Sequence, residues 1–144
     1  WRERFEKQLA MRSLRQRFVF TGLIPPESIP RHLGIMNCLV HLSRREGLPR
    51  ALPQAMAAGK PVVAYDCDGA REVCISGRTG HLIAPGDLDA LTKALVELAS
   101  GTDRRHQLGE NGRHLVRELF GVDTMVDAIF ELYRRLLPAA AGPQ

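Results

Sequence analysis

Apolar positions in this chain follow two rhythms. Short unbroken runs, such as Val62-Val63-Ala64-Tyr65, alternate with longer stretches in which apolar residues return every three or four positions. Unbroken runs of that length fit strands covered on both faces, and the three-to-four spacing fits helices with one buried side. The runs predict strands over 17–22 (RFVFTG), 38–43 (CLVHLS), 61–66 (PVVAYD) and 80–85 (GHLIAP). Helices are expected over 2–16, where Phe5 and Leu9 stand four apart, and from the prolines and serine of 25–28 to about Met36. A third covers 50–58, with Pro49 at its first turn and Gly59 at its end. A short one covers 70–75. Asp87 caps a helix with Leu88, Leu91, Leu95 and Leu98 on one face, ended by Gly101. Thr102 or Asp103 caps the next, to about Leu119. Asp123 and Thr124 open the last, striped by Val126, Ile129, Tyr133, Leu136 and Leu137.

Strands that alternate with helices and read as continuous apolar runs imply an α/β fold. Its parallel, Rossmann-like sheet would be flanked by helices on both faces. In such sheets ligands bind beyond the carboxyl ends of the strands. Four loops fall there, at 22–26, 43–49, 66–70 and 85–87. All carry Gly or Pro and three carry carboxylates, so they are expected to converge.

Composition narrows this little. The chain has 144 residues, 44% apolar and 25% charged, which suits one folded domain. The net charge of +4 is uneven. Residues 1–50 hold ten Arg and Lys against four Asp and Glu, while 51–101 is acidic and 102–144 balanced. That basic first third leaves room for a peripheral contact with an anionic membrane, although solvated surface explains it as well. Nucleic acid is not an expected partner, because such a module should interleave aromatics with its arginines and only 6% of residues are aromatic. Cys38, Cys67 and Cys74 have no metal-ligand spacing and fit a reducing, cytoplasmic setting. No signal peptide is expected, and no apolar run in the sequence reaches membrane-spanning length.

The chemistry gathers in SRREGLPRALPQAMAAGKPVVA, residues 43–64. A loop running into a helix N-terminus favours an anion, and Gly47 leaves the backbone open to it. A phosphate would fit beside Gly47, Leu48 and Arg50. Glu46 would repel that phosphate unless it faces hydroxyls instead. Phosphate beside hydroxyls describes a sugar phosphate; Glu46 as a plain turn residue remains open. Gln54 lies little more than one turn on and could reach a second diol, or be ordinary surface. Lys60 reads as solvated. His41 and His81 read as satisfied residues of the sheet. Neither a Walker loop nor a Ser-His-Asp grouping occurs.

E-G-L-P at 46–49 is followed by A-M-A-x-G-x-P-V-V-A at 55–64, G-x-x-E at 69–72, G-x-x-G at 77–80 and P-x-D at 85–87. This string resembles the C-terminal, donor-binding domain of retaining GT-B glycosyltransferases of group 1, over about residues 17–137. The resemblance implies transfer of a hexose from a nucleotide sugar to an acceptor with retention, with no bound metal or other cofactor. Glu46 would act as the catalytic carboxylate on the transferred sugar, and Gly47, Leu48 and Pro49 would meet donor sugar or phosphate. Gln54 would hold the ribose, Leu23 and Ile24 the base, and the loop of Asp68, Gly69 and Glu72 would border the donor.

Two positions depart from the family. It carries a second Glu where this chain has Gln54, and often a glycine where this chain has Asp68. The family's pyrophosphate-binding Arg and Lys and its N-terminal acceptor domain are expected upstream of Trp1. Residues 1–137 are thus expected to form part of a donor domain, with 138–144 as a loose tail. The rival readings are a non-catalytic sugar-nucleotide binder, favoured by Gln54, and a nucleotide-sugar epimerase.

Overall fold

The structure, a computed structural model, describes residues 1–137; the tail expected at 138–144 lies outside them. Three strands form one parallel sheet in the order β1 (Leu39–His41), β2 (Val62–Tyr65), β3 (Gly80–Ile83). Between and around them run α1 (Arg2–Met11), α2 (Ile29–Ile35), α3 (Ala51–Ala57), α4 (Ala70–Val73), α5 (Leu88–Ser100), α6 (Thr102–Leu119) and α7 (Val122–Leu136). The parallel α/β expectation therefore holds.

β2 organises the core. It is buried along its whole length, and successive side chains enter opposite layers. Val62 and Ala64 join Leu52, Ala55 and Met56 of α3, Val73 and Cys74 on one side. Val63 and Tyr65 join Ile83, Leu91, Ala94, Leu98 and Leu108 on the other. That is why the strand reads as an unbroken apolar run. Two glycines let α6 close on α3. A Cβ on Gly109 would lie 2.1 Å from the Gly59 carbonyl, and one on Gly112 would lie 3.1 Å from the Met56 side chain.

The strand expected at 18–21 does not form. Phe18 has extended backbone, but no described strand runs beside the segment, and extended chain without a ladder partner is not a sheet strand. Phe20 instead lies under the guanidinium groups of Arg2 and Arg15, at 5.5 and 5.3 Å. The first helix also stops early, at Met11. Leu14 N–H donates to the Leu9 carbonyl and Ser13 N–H to that of Ala10, while Ser13 takes φ +56°. This is a Schellman stop with serine where glycine is usual. A turn of 3₁₀ helix at Arg15–Arg17 follows.

Smaller corrections follow the same pattern. Leu88 points outward, at 65% exposure, whereas Leu91 and Leu98 are buried. α6 starts from Gly101, and the Thr102 hydroxyl accepts from Arg105 rather than capping the helix. The stripe on α7 is present, but none of its side chains is buried within the described residues, and Leu137 follows the helix.

Cys74 is sealed in the core at 1% exposure, and burial pushes its thiol up to about 11, against a smaller lowering by the Thr79 hydroxyl. At pH 8 roughly one thiol in a thousand is then ionised. Iodoacetamide should leave Cys74 unmodified in the folded protein and label it after urea unfolding, as read by mass spectrometry. Because the free thiol titrates near 9, the stability this group contributes is complete below pH 9 and is lost between about pH 9 and 11.

Candidate functional site

Adjacent parallel strands place the loop after β1, 43–49, beside the loop after β2, 66–70, at the carboxyl edge of the sheet. Three hydrogen bonds join them. The Cys67 thiol donates to the Ser43 carbonyl at 3.1 Å, Glu46 N–H to the Asp68 carboxylate at 3.0 Å, and Gly69 N–H to the Glu46 carbonyl at 3.5 Å. The backbones nearly touch, since a Cβ on Gly69 would fall 1.7 Å from the Gly47 carbonyl oxygen.

Asp68 adopts φ +41°, a conformation that glycine takes freely and Asp tolerates better than most. The position that resembles a family glycine thus keeps the glycine conformation. It gains a carboxylate that ties down the backbone of Glu46. Gly47 itself faces open space.

A cleft beside the 43–49 loop has a volume of about 440 Å³, within the range of small-molecule sites. Glu46, Leu48, Arg50, Ala51 and Gln54 line it from one side, Pro26 and Ile29 from the other. Glu46 and Gln54, eight residues apart, therefore open on one space. Gln54 sits in the first turns of α3, its backbone N–H donating to the Arg50 carbonyl. Arg44, Arg45 and Arg50 are exposed along the same segment, which makes its surroundings positive. The amides of Gly47 and Leu48 donate to no partner among the described residues. A second, mostly apolar groove of about 420 Å³ adjoins the cleft, and Pro26, Ile29 and Gln54 border both.

The remaining expected residues divide. Pro49 is buried beneath the loop as a wall rather than an open contact. Leu23 is fully exposed and Ile24 half-buried, and neither lines the two cavities; Pro26 takes that place. Glu72 is exposed in the first turn of α4 and does not line the cleft. The 85–87 turn does not join the other loops by hydrogen bonds among the described residues, because Asp87 is occupied capping α5 through Ala90 N–H. Lys60 is not merely solvated. Its Nζ donates to the Gly34 carbonyl at 2.9 Å, at the end of α2.

Of the two histidines expected to be satisfied residues of the sheet, one is and one is not. His81 Nε2 is buried with no hydrogen bond, 3.6 Å from a Glu97 carboxylate oxygen. His41 is bonded, but to Glu46, at 2.6 Å. The missed signal was positional. His41 is the last residue of β1, at the edge where ligands bind.

Among the described residues, no cluster of three or more His, Cys, Asp or Glu is arranged to hold a metal ion, and no helix is long and apolar enough to cross a membrane. The family described as Glycosyl transferases group 1 matches residues 1–115. A 2-deoxystreptamine N-acetyl-D-glucosaminyltransferase of Streptomyces fradiae is 30% identical over 98% of this chain and 33% of its own length. The sucrose-phosphate synthase of Thermosynechococcus elongatus superposes with a TM-score of 0.83 at 31% identity, over 94% of this chain and 34% of that one. HepE of Anabaena, solved in complex with UDP-glucose, superposes with a TM-score of 0.84 at 27% identity, over 93% of this chain and 36% of its own. The chain thus spans about a third of the length of these relatives.

Proposed function

This chain belongs to the group 1 glycosyltransferases, and on that footing we propose that its cleft holds the nucleotide-sugar donor of an enzyme that transfers a hexose to an acceptor with retention. The observation that carries the reading is the shared cleft. Glu46 and Gln54, the positions matched to the family's two carboxylates, line one space with Leu48 and Arg50. Glu46 meets hydroxyls of the sugar, because a carboxylate accepts from a diol. Arg50 and the amides of Gly47 and Leu48 receive the diphosphate and stabilise it as it leaves, and no resident metal enters this reading. Gln54 stands where the polar cleft meets the apolar groove, which suits a ribose between a diphosphate and a flat base.

HepE was solved with UDP-glucose, and the Streptomyces relative is named for transfer of an N-acetylhexosamine; both support a hexose donor. The acceptor is held by the rest of the protein. Three free cysteines suit a cytoplasmic setting. The test is a transfer assay on the full-length protein with a panel of nucleotide sugars, the product's anomeric configuration being read by NMR. An inverted product would end the retaining assignment. Donor binding without transfer or hydrolysis would favour the second reading, a binder that has lost chemistry, for which Gln54 is the motivation.

Gln54→Glu supplies a third check. A hydrogen bond to a charged acceptor contributes about 1.5–3 kcal/mol against roughly 1 for a neutral one, and the exposure of this site trims the difference. Calorimetry of the full-length variant should show nucleoside diphosphate binding unchanged or tightened by up to about tenfold. Loss of binding would mean that the ribose lies elsewhere.

A further inference from the structure

We propose, resting on this donor-site reading, that His41 is a positioning residue. It holds one carboxylate oxygen of Glu46 so that the other is presented to the hydroxyls of the sugar. Nothing in the motif string points to His41; the geometry does.

His41 Nε2 lies 2.6 Å from Glu46 Oε2. An ionised carboxylate only accepts, so the ring nitrogen is the donor. The two partners differ in rigidity. His41 belongs to β1 and is registered against Ala64 of the fully buried β2. Glu46 sits on a loop. The strand therefore fixes the loop side chain. Glu46 is then held at three points: its amide by Asp68, its carbonyl by Gly69 and its Oε2 by His41. Its Oε1 has no protein partner among the described residues.

The space on the two sides of the carboxylate decides which oxygen serves the ligand. On the His41 side, Glu46, Ser43, Pro49, Tyr65, Cys67 and Ala70 close around a gap of about 10 Å³. That is at or below what a single water needs, so the contact is direct. On the other side lies the cleft of about 440 Å³. The oxygen without a protein partner, Oε1, is the one left for a donor. A glutamate without this hold would lose rotamer freedom each time it met a donor, and the held one does not.

The experiment compares His41→Ala, His41→Gln and His41→Asn in the full-length protein, alone and with Glu46→Ala. It measures kcat/KM for the nucleotide sugar and the inhibition constant of the matching nucleoside diphosphate. His41→Ala should lower kcat/KM about tenfold, the weight of one hydrogen bond to a charged group, and leave the inhibition constant within about twofold. Gln carries an amide nitrogen at about the reach of Nε2 and should recover activity to within about threefold. Asn falls short and should behave like Ala.

In the Glu46→Ala background, removing His41 should cost nothing more. Parent-like activity of His41→Ala, or a Gln variant as poor as Asn, would overturn the proposal. So would equal loss of diphosphate binding, which marks a collapsed cleft rather than a misplaced carboxylate. Should His41→Ala fail to fold, the Gln and Asn pair still decides. Full activity of Glu46→Ala alone would remove the donor-site reading and the role of His41 with it. An inactive Glu46→Ala beside an unaffected His41→Ala would remove only the role of His41.

Discussion

Glu46→Ala should reduce sugar transfer by the full-length protein on the order of 10²–10³-fold, while the variant still folds. The estimate takes two hydrogen bonds from sugar hydroxyls to a charged acceptor, each about 1.5–3 kcal/mol, discounted because the side chain is 42% exposed. Folding should survive, because the bonds that shape the loop run through the Glu46 backbone, to Asp68 and Gly69. Only the contact with His41 is lost. Initial rates with labelled nucleotide sugar, beside a thermal melt, check both halves. Transfer within threefold of the parent would contradict the role, and a melt lowered by many degrees would show that Glu46 holds the loop rather than the ligand.

Gly69→Ala should damage fold and activity together. The added methyl would stand 1.7 Å from the Gly47 carbonyl oxygen and 3.2 Å from Leu48 Cα, both backbone, so no flexible side chain can yield. Overpacking of this kind costs about 1–3 kcal/mol and sometimes more, a lowering of Tm by roughly 3–10 °C in a domain of this size. The loop that carries Glu46 must move away, so transfer should fall by at least about tenfold. Gly47→Ala is the matched control, since a Cβ there meets nothing within 4 Å. It should melt like the parent, and any lost activity would then come from the cleft side. Calorimetric melts of both variants decide this; equal stability would mean that the two loops do not pack as described.

These two glycines show what a sequence reveals and what it hides. Both lie in motifs that resemble the family. Yet one faces open space and the other lets two loops touch, and only three-dimensional proximity separates the roles. Strands β1 to β3 were legible because each is an apolar run bounded by turn residues, whereas 17–22 shares that pattern and finds no neighbour to pair with. The end of α3 was legible from Gly59, which takes φ +69°. The end of α1 was not, because Ser13 takes the same left-handed conformation without being glycine. Asp68 also takes it, at φ +41°, inside a loop that was expected from its glycine and carboxylates. That Glu46 and Gln54 open on one cleft was legible from loop chemistry and spacing. The contact of His41 with Glu46 was not, because a histidine within an apolar run gives no sign of which end of the strand faces a site.

The parallel sheet also bears on how the protein reaches this state. Each ladder joins segments far apart along the chain: Leu39 pairs with Val62, and Val62 with Gly80. No strand can pair with its neighbour through a local hairpin, so every ladder must first close a loop of about twenty residues. Such non-local contacts form late and slowly compared with helices. The loop that carries Glu46 inherits this, because it is tied to the 66–70 loop only where β1 and β2 are already in register. A chain that has made its helices but not its sheet has not yet brought these two loops together.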